Sequence, residues 1–123
     1  MRLVLVLDCA DADALADFWA SALGFRREAY AAPYVRLTDP RGRWPDLLLQ
    51  QVPEPRHGKN RMHLDVQVLD VHAEAERLTG LGATVVEPAH DDDGFLTVVL
   101  ADPQGNEFCV LRPPDGDERL NEI

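Results

Sequence analysis

The sequence predicts an α+β chain made of two tandem β-α-β-β-β modules, because three local signals occur twice in the same order. An aspartate precedes an amphipathic stretch (Asp11 or Asp13, then Asp70), and a glycine follows that stretch (Gly24, then Gly82). An Asp-Pro-x-Gly turn then separates the last two strand-like segments, first at Asp39-Pro40-Arg41-Gly42 and again at Asp102-Pro103-Gln104-Gly105. Caps and turns are common singly, but their ordered recurrence at similar spacing marks an internal repeat.

Module one opens with Arg2 to Cys9, aliphatic and β-branched enough for a strand. Asp11 or Asp13 can accept from the unpaired amides of a helix start. Leu15, Phe18, Trp19, Ala22 and Leu23 then recur at helical spacing as one buried stripe, with Gly24 as the left-handed stop. Three strands follow, at Phe25 to Tyr30, Tyr34 to Thr38 and Leu47 to Val52. The stiff polar run Pro53-Glu54-Pro55-Arg56-His57-Gly58-Lys59 reads as a linker. Module two repeats the order: strand Met62 to Val68, a helix with Val71, Ala75, Leu78 and Leu81 on one face, and strands Ala83 to Glu87, Phe95 to Ala101 and Glu107 to Arg112. The boundaries are 1–52 for module one, 53–60 for the linker, 61–112 for module two and 113–123 for a polar tail, with 1–112 forming a single domain.

A chain of 123 residues suits one domain that buries roughly two-thirds of its unfolded surface. The net charge of −10 argues against a nucleic-acid partner, whose phosphates call for lysine and arginine. No apolar run approaches the ~20 residues of a membrane-spanning helix, so no membrane partner is expected. Asp8 interrupts the short N-terminal aliphatic run and no small-residue cleavage site follows, which predicts a cytoplasmic protein. Cys9 and Cys109 lack the number and spacing of a disulfide framework. Asp91-Asp92-Asp93 is expected in a solvated loop, since it lacks the alternating ligands of a calcium loop.

Strand alternation selects candidate functional residues. Met62, Leu64, Val66 and Val68 belong on the helix-covered face, which leaves His63, Asp65 and Gln67 on the other. Same-side neighbours along a strand lie roughly 7 Å apart, so a direct His63–Asp65 contact needs side chains that lean together. Gln50 or Gln51, depending on register, adds an amide from module one, and Cys109 adds a small polarizable surface, with Glu107 sharing its parity. Tyr34 and Arg36 alternate with Val35 and Leu37, which reads first as an amphipathic edge strand and otherwise sets Arg36 to meet an anionic ligand, while Trp44, beside Arg41 and Arg43, needs a partner at the cup mouth or a subunit interface to cover it. His57, His72 and His90, in linker, helix and loop contexts, receive no role.

The repeated marks, with Lys59-Asn60-Arg61-Met62-His63-Leu64-Asp65 and Asp102-Pro103-Gln104-Gly105-Asn106-Glu107-Phe108, resemble the vicinal-oxygen-chelate superfamily, in its glyoxalase-like and bleomycin-resistance-like branch. The resemblance spans about Arg2 to Arg112. It implies an eight-stranded mixed sheet curved into a cup, helices on the outer face, a small-molecule ligand inside and a homodimer. It also implies metal ligands at a histidine in the first strand of each module and at acidic or histidine positions in the last strands. His63 matches one of these positions; Val4 stands at its counterpart, Cys109 at the usual glutamate, and Leu49 or Gln50 at the fourth. If any metal binds, His63 and Cys109 are its ligands, but the set is too poor for the usual chemistry.

No cofactor is therefore expected, with a divalent metal left open. The function predicted is metal-independent binding of a small organic molecule, of the sequestration or resistance type, anchored by His63, Asp65, Gln50, Cys109 and Gln67. The alternative is an enzyme of the superfamily (lyase, isomerase or dioxygenase) with an atypical metal site around His63.

Overall fold

In the computed structural model, which describes residues 2–58, 60 and 62–114, the chain divides into two units, residues 1–57 and 58–123. The first contains β1 (Val4–Cys9), α1 (Ala12–Leu23), β2 (Arg26–Glu28), β3 (Tyr34–Thr38) and β4 (Asp46–Gln51). The second contains β5 (Asp65–Gln67), α2 (Val71–Gly80), β6 (Thr84–Asp92), β7 (Phe95–Ala101) and β8 (Glu107–Arg112). Lys59 and Arg61 of the sequence motif, and most of the expected tail, lie outside the described residues.

Each unit is a β-α-β-β-β module with a mixed sheet. The strand orders are β1-β4-β3-β2 and β5-β8-β7-β6. In both, the first strand runs parallel to the last and the remaining pairs are antiparallel. Each module thus contributes four strands of the eight implied by the resemblance, in a mixed sheet of its own among the described residues.

The repeat signals act as their chemistry dictates. Asp11 caps α1 by accepting from Ala14 N at 3.0 Å, and Asp70 caps α2 through Ala73 N at the same distance. Asp11 rather than Asp13 fills this role, since Asp13 lies in the first helical turn and pairs with Arg27. Gly24 ends α1 at φ +68°, a conformation a side chain would disfavour. The α1 stripe buries Leu15, Phe18 and Trp19 with Ala12 and Ala16, whereas Ala22 and Leu23 near its end are half-buried. On α2, Val71 and Leu78 are buried, but the helix stops at Gly80 and leaves Leu81 exposed.

The two Asp-Pro-x-Gly turns fold alike. Asp39 O accepts from Gly42 N and Asp102 O from Gly105 N, both at 2.9 Å. Each carboxylate gathers following backbone amides as well: Asp39 accepts from Arg41, Arg43 and Trp44, and Asp102 from Gln104 and Asn106. The Arg41 amide foremost holds the Asp39 carboxyl below its ordinary range, with the Arg43 and Trp44 amides adding to the effect. A carboxyl whose folded pKa is depressed stabilises the fold above its unfolded pKa and loses that contribution as pH falls through the folded value. Asp39→Ala is therefore expected to lower the melting temperature at pH 7, and the gap from wild type should narrow toward pH 3. Equal gaps at both pH values, read by circular dichroism melts, would show that the carboxylate charge is not what holds this turn.

Several elements differ from expectation for local reasons. β6 extends to Asp92, so Asp91 and Asp92 lie in a strand rather than a loop. Asp93 and Gly94 at φ +53° and +89° make the tight reversal, and Asp92 pairs with Phe95 across it. An Asp-Gly pair is a strong hairpin signal because both central residues of the mirror-image turn need positive φ. The ladder slips between Val85 and Glu87 and again between Glu87 and His90, a stretch that contains Pro88, which has no amide to donate. β2 and β5 are each three residues long. Met62 precedes β5 and is exposed instead of facing the helix.

Candidate functional site

The register of β5 against β8 builds the most chemically diverse cluster in the second unit. Asp65 stands opposite Cys109, and Cys109 N donates to Leu64 O at 2.9 Å, which fixes that alignment. Val66 and Val110 point toward α2, so Asp65, Gln67 and Cys109 take the open face of the sheet. His63, just ahead of β5, leans over Asp65 until its Nε2 lies 3.2 Å from Oδ1. These side chains are 42% and 48% exposed, while Cys109 is half-buried. The three donor atoms, from His63, Asp65 and Cys109, lie within 4.8 Å of one another. Gln67 continues the row beside Leu111.

Module one places different chemistry at the same positions. Asp65 pairs with Cys109 in β5–β8, and its counterpart in β1–β4 is Val6 paired with Leu48. The antiparallel side agrees: Cys109 faces Val99, three residues before Asp102, and Leu48 faces Arg36, three before Asp39. The counterpart of Cys109 is therefore Leu48, not Leu49 or Gln50 as expected. The arginine and tryptophan at 43 and 44 make the first turn two residues longer than the second, so Leu48 lies nine residues after Asp39 where Cys109 lies seven after Asp102. Leu49 is fully buried on the helix side, and Gln50 takes the open face beside Asp8 and Tyr34. Gln51 instead accepts from Ala12 N at 3.2 Å at the start of α1.

Asp8, in sequence only a break in an aliphatic run, is an open-face carboxylate opposite Gln50. Its alternation with Leu7 and Cys9 was the available signal. Arg36 does reach the open face, but Asp46 takes its guanidinium at 2.9 Å. It helps line an open cleft of about 750 Å³ with Arg2, Arg26, Arg43 and Trp44. Arg26 is held by Glu28 at 2.9 Å, and this hydrogen bond foremost, then one from Thr38, keeps the Glu28 carboxyl below its usual range. Trp44 is 61% exposed, with the Arg43 guanidinium 5.9 Å from its ring centre. His90, expected in a loop, lies in β6 with Nδ1 2.8 Å from Pro88 O.

A model of the glyoxalase-like domain matches residues 4–111. The chain belongs to the glyoxalase-like family. Solved structures agree in fold with this glyoxalase-like chain. A glyoxalase/bleomycin resistance protein/dioxygenase from Nocardioides is 16% identical with a TM-score of 0.76, over 95% of this chain and 85% of that one. A family enzyme of the same description from Burkholderia phytofirmans PsJN is 16% identical with a TM-score of 0.74, over 89% and 95%. A glyoxalase-related enzyme from Fulvimarina pelagi is 20% identical with a TM-score of 0.72, over 95% of each chain. No curated protein sequence matches significantly. Among the described residues, no helix is long and apolar enough to cross a membrane.

The two-module metal set implied by the resemblance does not fit this glyoxalase-like chain. Val4 and Leu48 stand at the two module-one positions, and neither hydrocarbon side chain can donate to a metal.

Proposed function

We propose that the protein binds a small organic molecule on the open face of its module-two sheet, without the two-module metal centre. The supporting observation is the contrast between equivalent positions: Val6 and Leu48 in module one, Asp65 and Cys109 in module two. His63, Asp65, Gln67 and Cys109 supply the few polar groups that orient a molecule and give specificity. Binding needs only donors and acceptors within reach, and the His63–Asp65 pair supplies both.

The sequestration type of function draws support from the bleomycin-resistance description of the structural neighbours. A homodimer in the cytoplasm completes the proposal, and exposed Leu3, Val4 and Val6 are the apolar group a partner chain would cover. The test is a thermal-shift screen of small aromatic and antibiotic-like molecules. A ligand at about 100 times its Kd adds about 2.7 kcal/mol, a rise on the order of 10 °C for a chain of this size. A screen without hits, alongside turnover of a substrate by the same protein, would contradict the reading.

A further inference from the structure

We propose that the arginine-lined cleft of module one binds a small aromatic oxyanion, an aryl carboxylate or an aryl phosphate. This goes beyond the ligand-binding reading, because it rests on module one alone and uses none of the residues on the open face of module two.

Neighbouring elements of one sheet build the cleft. Val35 and Leu37 are buried on the side of β3 that packs against α1, so Arg36 and Thr38 take the other side. The β2–β3 register sets Arg26 opposite Thr38 and Glu28 opposite Arg36. The turn between β3 and β4 adds Arg43 and Trp44, and the segment ahead of β1 adds Arg2. The result is an open cleft of about 750 Å³ lined by four arginines and three carboxylates, and so locally cationic in a chain whose net charge is −10.

The three carboxylates are already engaged within the module. Glu28 accepts from Arg26 at 2.9 Å and from Thr38 at 3.1 Å. Asp46 Oδ2 accepts from Arg36 Nε at 3.0 Å and lies 2.9 Å from its Nη2, while Asp39 is bound by three backbone amides of its own turn. These contacts orient the arginines without exhausting them. A guanidinium carries five N–H donors in a planar fork, so Arg26 and Arg36 each keep donors for a further acceptor. Arg2 has no ion-pair partner among the described residues.

The class of ligand follows from the two kinds of group present. Guanidinium forks match the paired oxygens of a carboxylate or phosphate. Trp44 is 61% exposed, with the Arg43 guanidinium 5.9 Å from its ring centre, so the indole offers a face on which a flat ring can stack. The acidic remainder of the surface repels a long phosphate backbone, whereas a small anion meets only the cleft.

The test titrates the full chain with sodium benzoate, phenyl phosphate and neutral benzyl alcohol, read by tryptophan fluorescence and by calorimetry. Saturable quenching by benzoate or phenyl phosphate is expected, and none by benzyl alcohol. Trp19 is buried and Trp44 exposed, so Trp44→Phe should abolish the quenching while calorimetry still records binding. Arg2→Gln and Arg36→Gln should each weaken binding roughly tenfold, and added sodium chloride should weaken it in wild type. Arg77→Gln, which removes the same charge from α2, should bind as wild type. Circular dichroism checks folding, and Arg2→Gln, exposed and outside the strands, carries the test if Arg36→Gln is misfolded. No saturable binding of either anion, equal binding of benzyl alcohol, or affinity unchanged in Arg2→Gln and Arg36→Gln would overturn the site. None of these results bears on module two, whose ligand is tested through His63→Ala.

Discussion

Trp19→Ala is expected to destabilise the protein by about 3–5 kcal/mol, the range for truncating a buried aromatic to alanine. Trp19 is 2% exposed, and its ring meets Phe18 edge-on with centroids 5.1 Å apart. It lies on the buried face of α1, which packs on β3 and β4. Those strands contribute Val35, Leu37, Leu47 and Leu49 to the same core, so few atoms are free to collapse into the vacated space. Set against a total stability on the order of 5–15 kcal/mol, the loss corresponds to a fall in melting temperature of roughly 10–20 °C. Circular dichroism melts test this, and a fall of less than about 3 °C would show that the α1 core does not limit stability.

Asp102→Ala is expected to have the second largest effect on stability, about 2–4 kcal/mol, because a buried hub loses all its partners together. Asp102 is 2% exposed. Its Oδ1 accepts from Gln104 N at 2.9 Å, Asn106 N at 3.0 Å and Asn106 Nδ2 at 3.2 Å, while Oδ2 accepts from Asn106 Nδ2 at 3.0 Å. Asn106 is itself buried, so the variant strands its amide without an acceptor. The equivalent turn at Asp39 is more exposed, and water replaces much of what Asp39→Ala removes. The expected order is therefore Asp102→Ala well below Asp39→Ala in melting temperature, and the reverse order would contradict the account. The turn also fixes the start of β8, so Asp102→Ala should disturb the placement of Cys109 opposite Asp65.

Most of the fold was legible because the repeat is written in residues with strong local preferences. The Asp11 and Asp70 caps, the Gly24 stop and the two Asp-Pro-x-Gly turns each act within a few residues of sequence. β3, β7 and β8 have the expected bounds, as regular alternation between firm turn signals permits. The errors fell where tertiary pairing decides. β6 continues through Asp91 and Asp92 because β7 pairs with it, and the Asp93-Gly94 reversal was hidden inside what reads as a solvated run.

The site was legible in part for the same reason. Alternation placed His63, Asp65 and Gln67 on one face, which the fold reproduces, but spacing along a strand could not reveal that His63 would lean onto Asp65. The closeness of Asp65 to the Cys109 sulfur depends on a parallel register between segments more than forty residues apart. The same dependence explains the misplaced counterpart of Cys109. Only the ladder, which pairs Leu48 with Val6 and Arg36, shows that Leu48 stands there.

Calorimetric titration of wild type and His63→Ala with the strongest hit from the thermal-shift screen tests the central claim most directly. The account predicts saturable binding to wild type and a loss of roughly tenfold or more in affinity for His63→Ala, as expected when a ligand's polar anchor is removed. Equal affinity for the two proteins would contradict it and move the site away from the open face of module two.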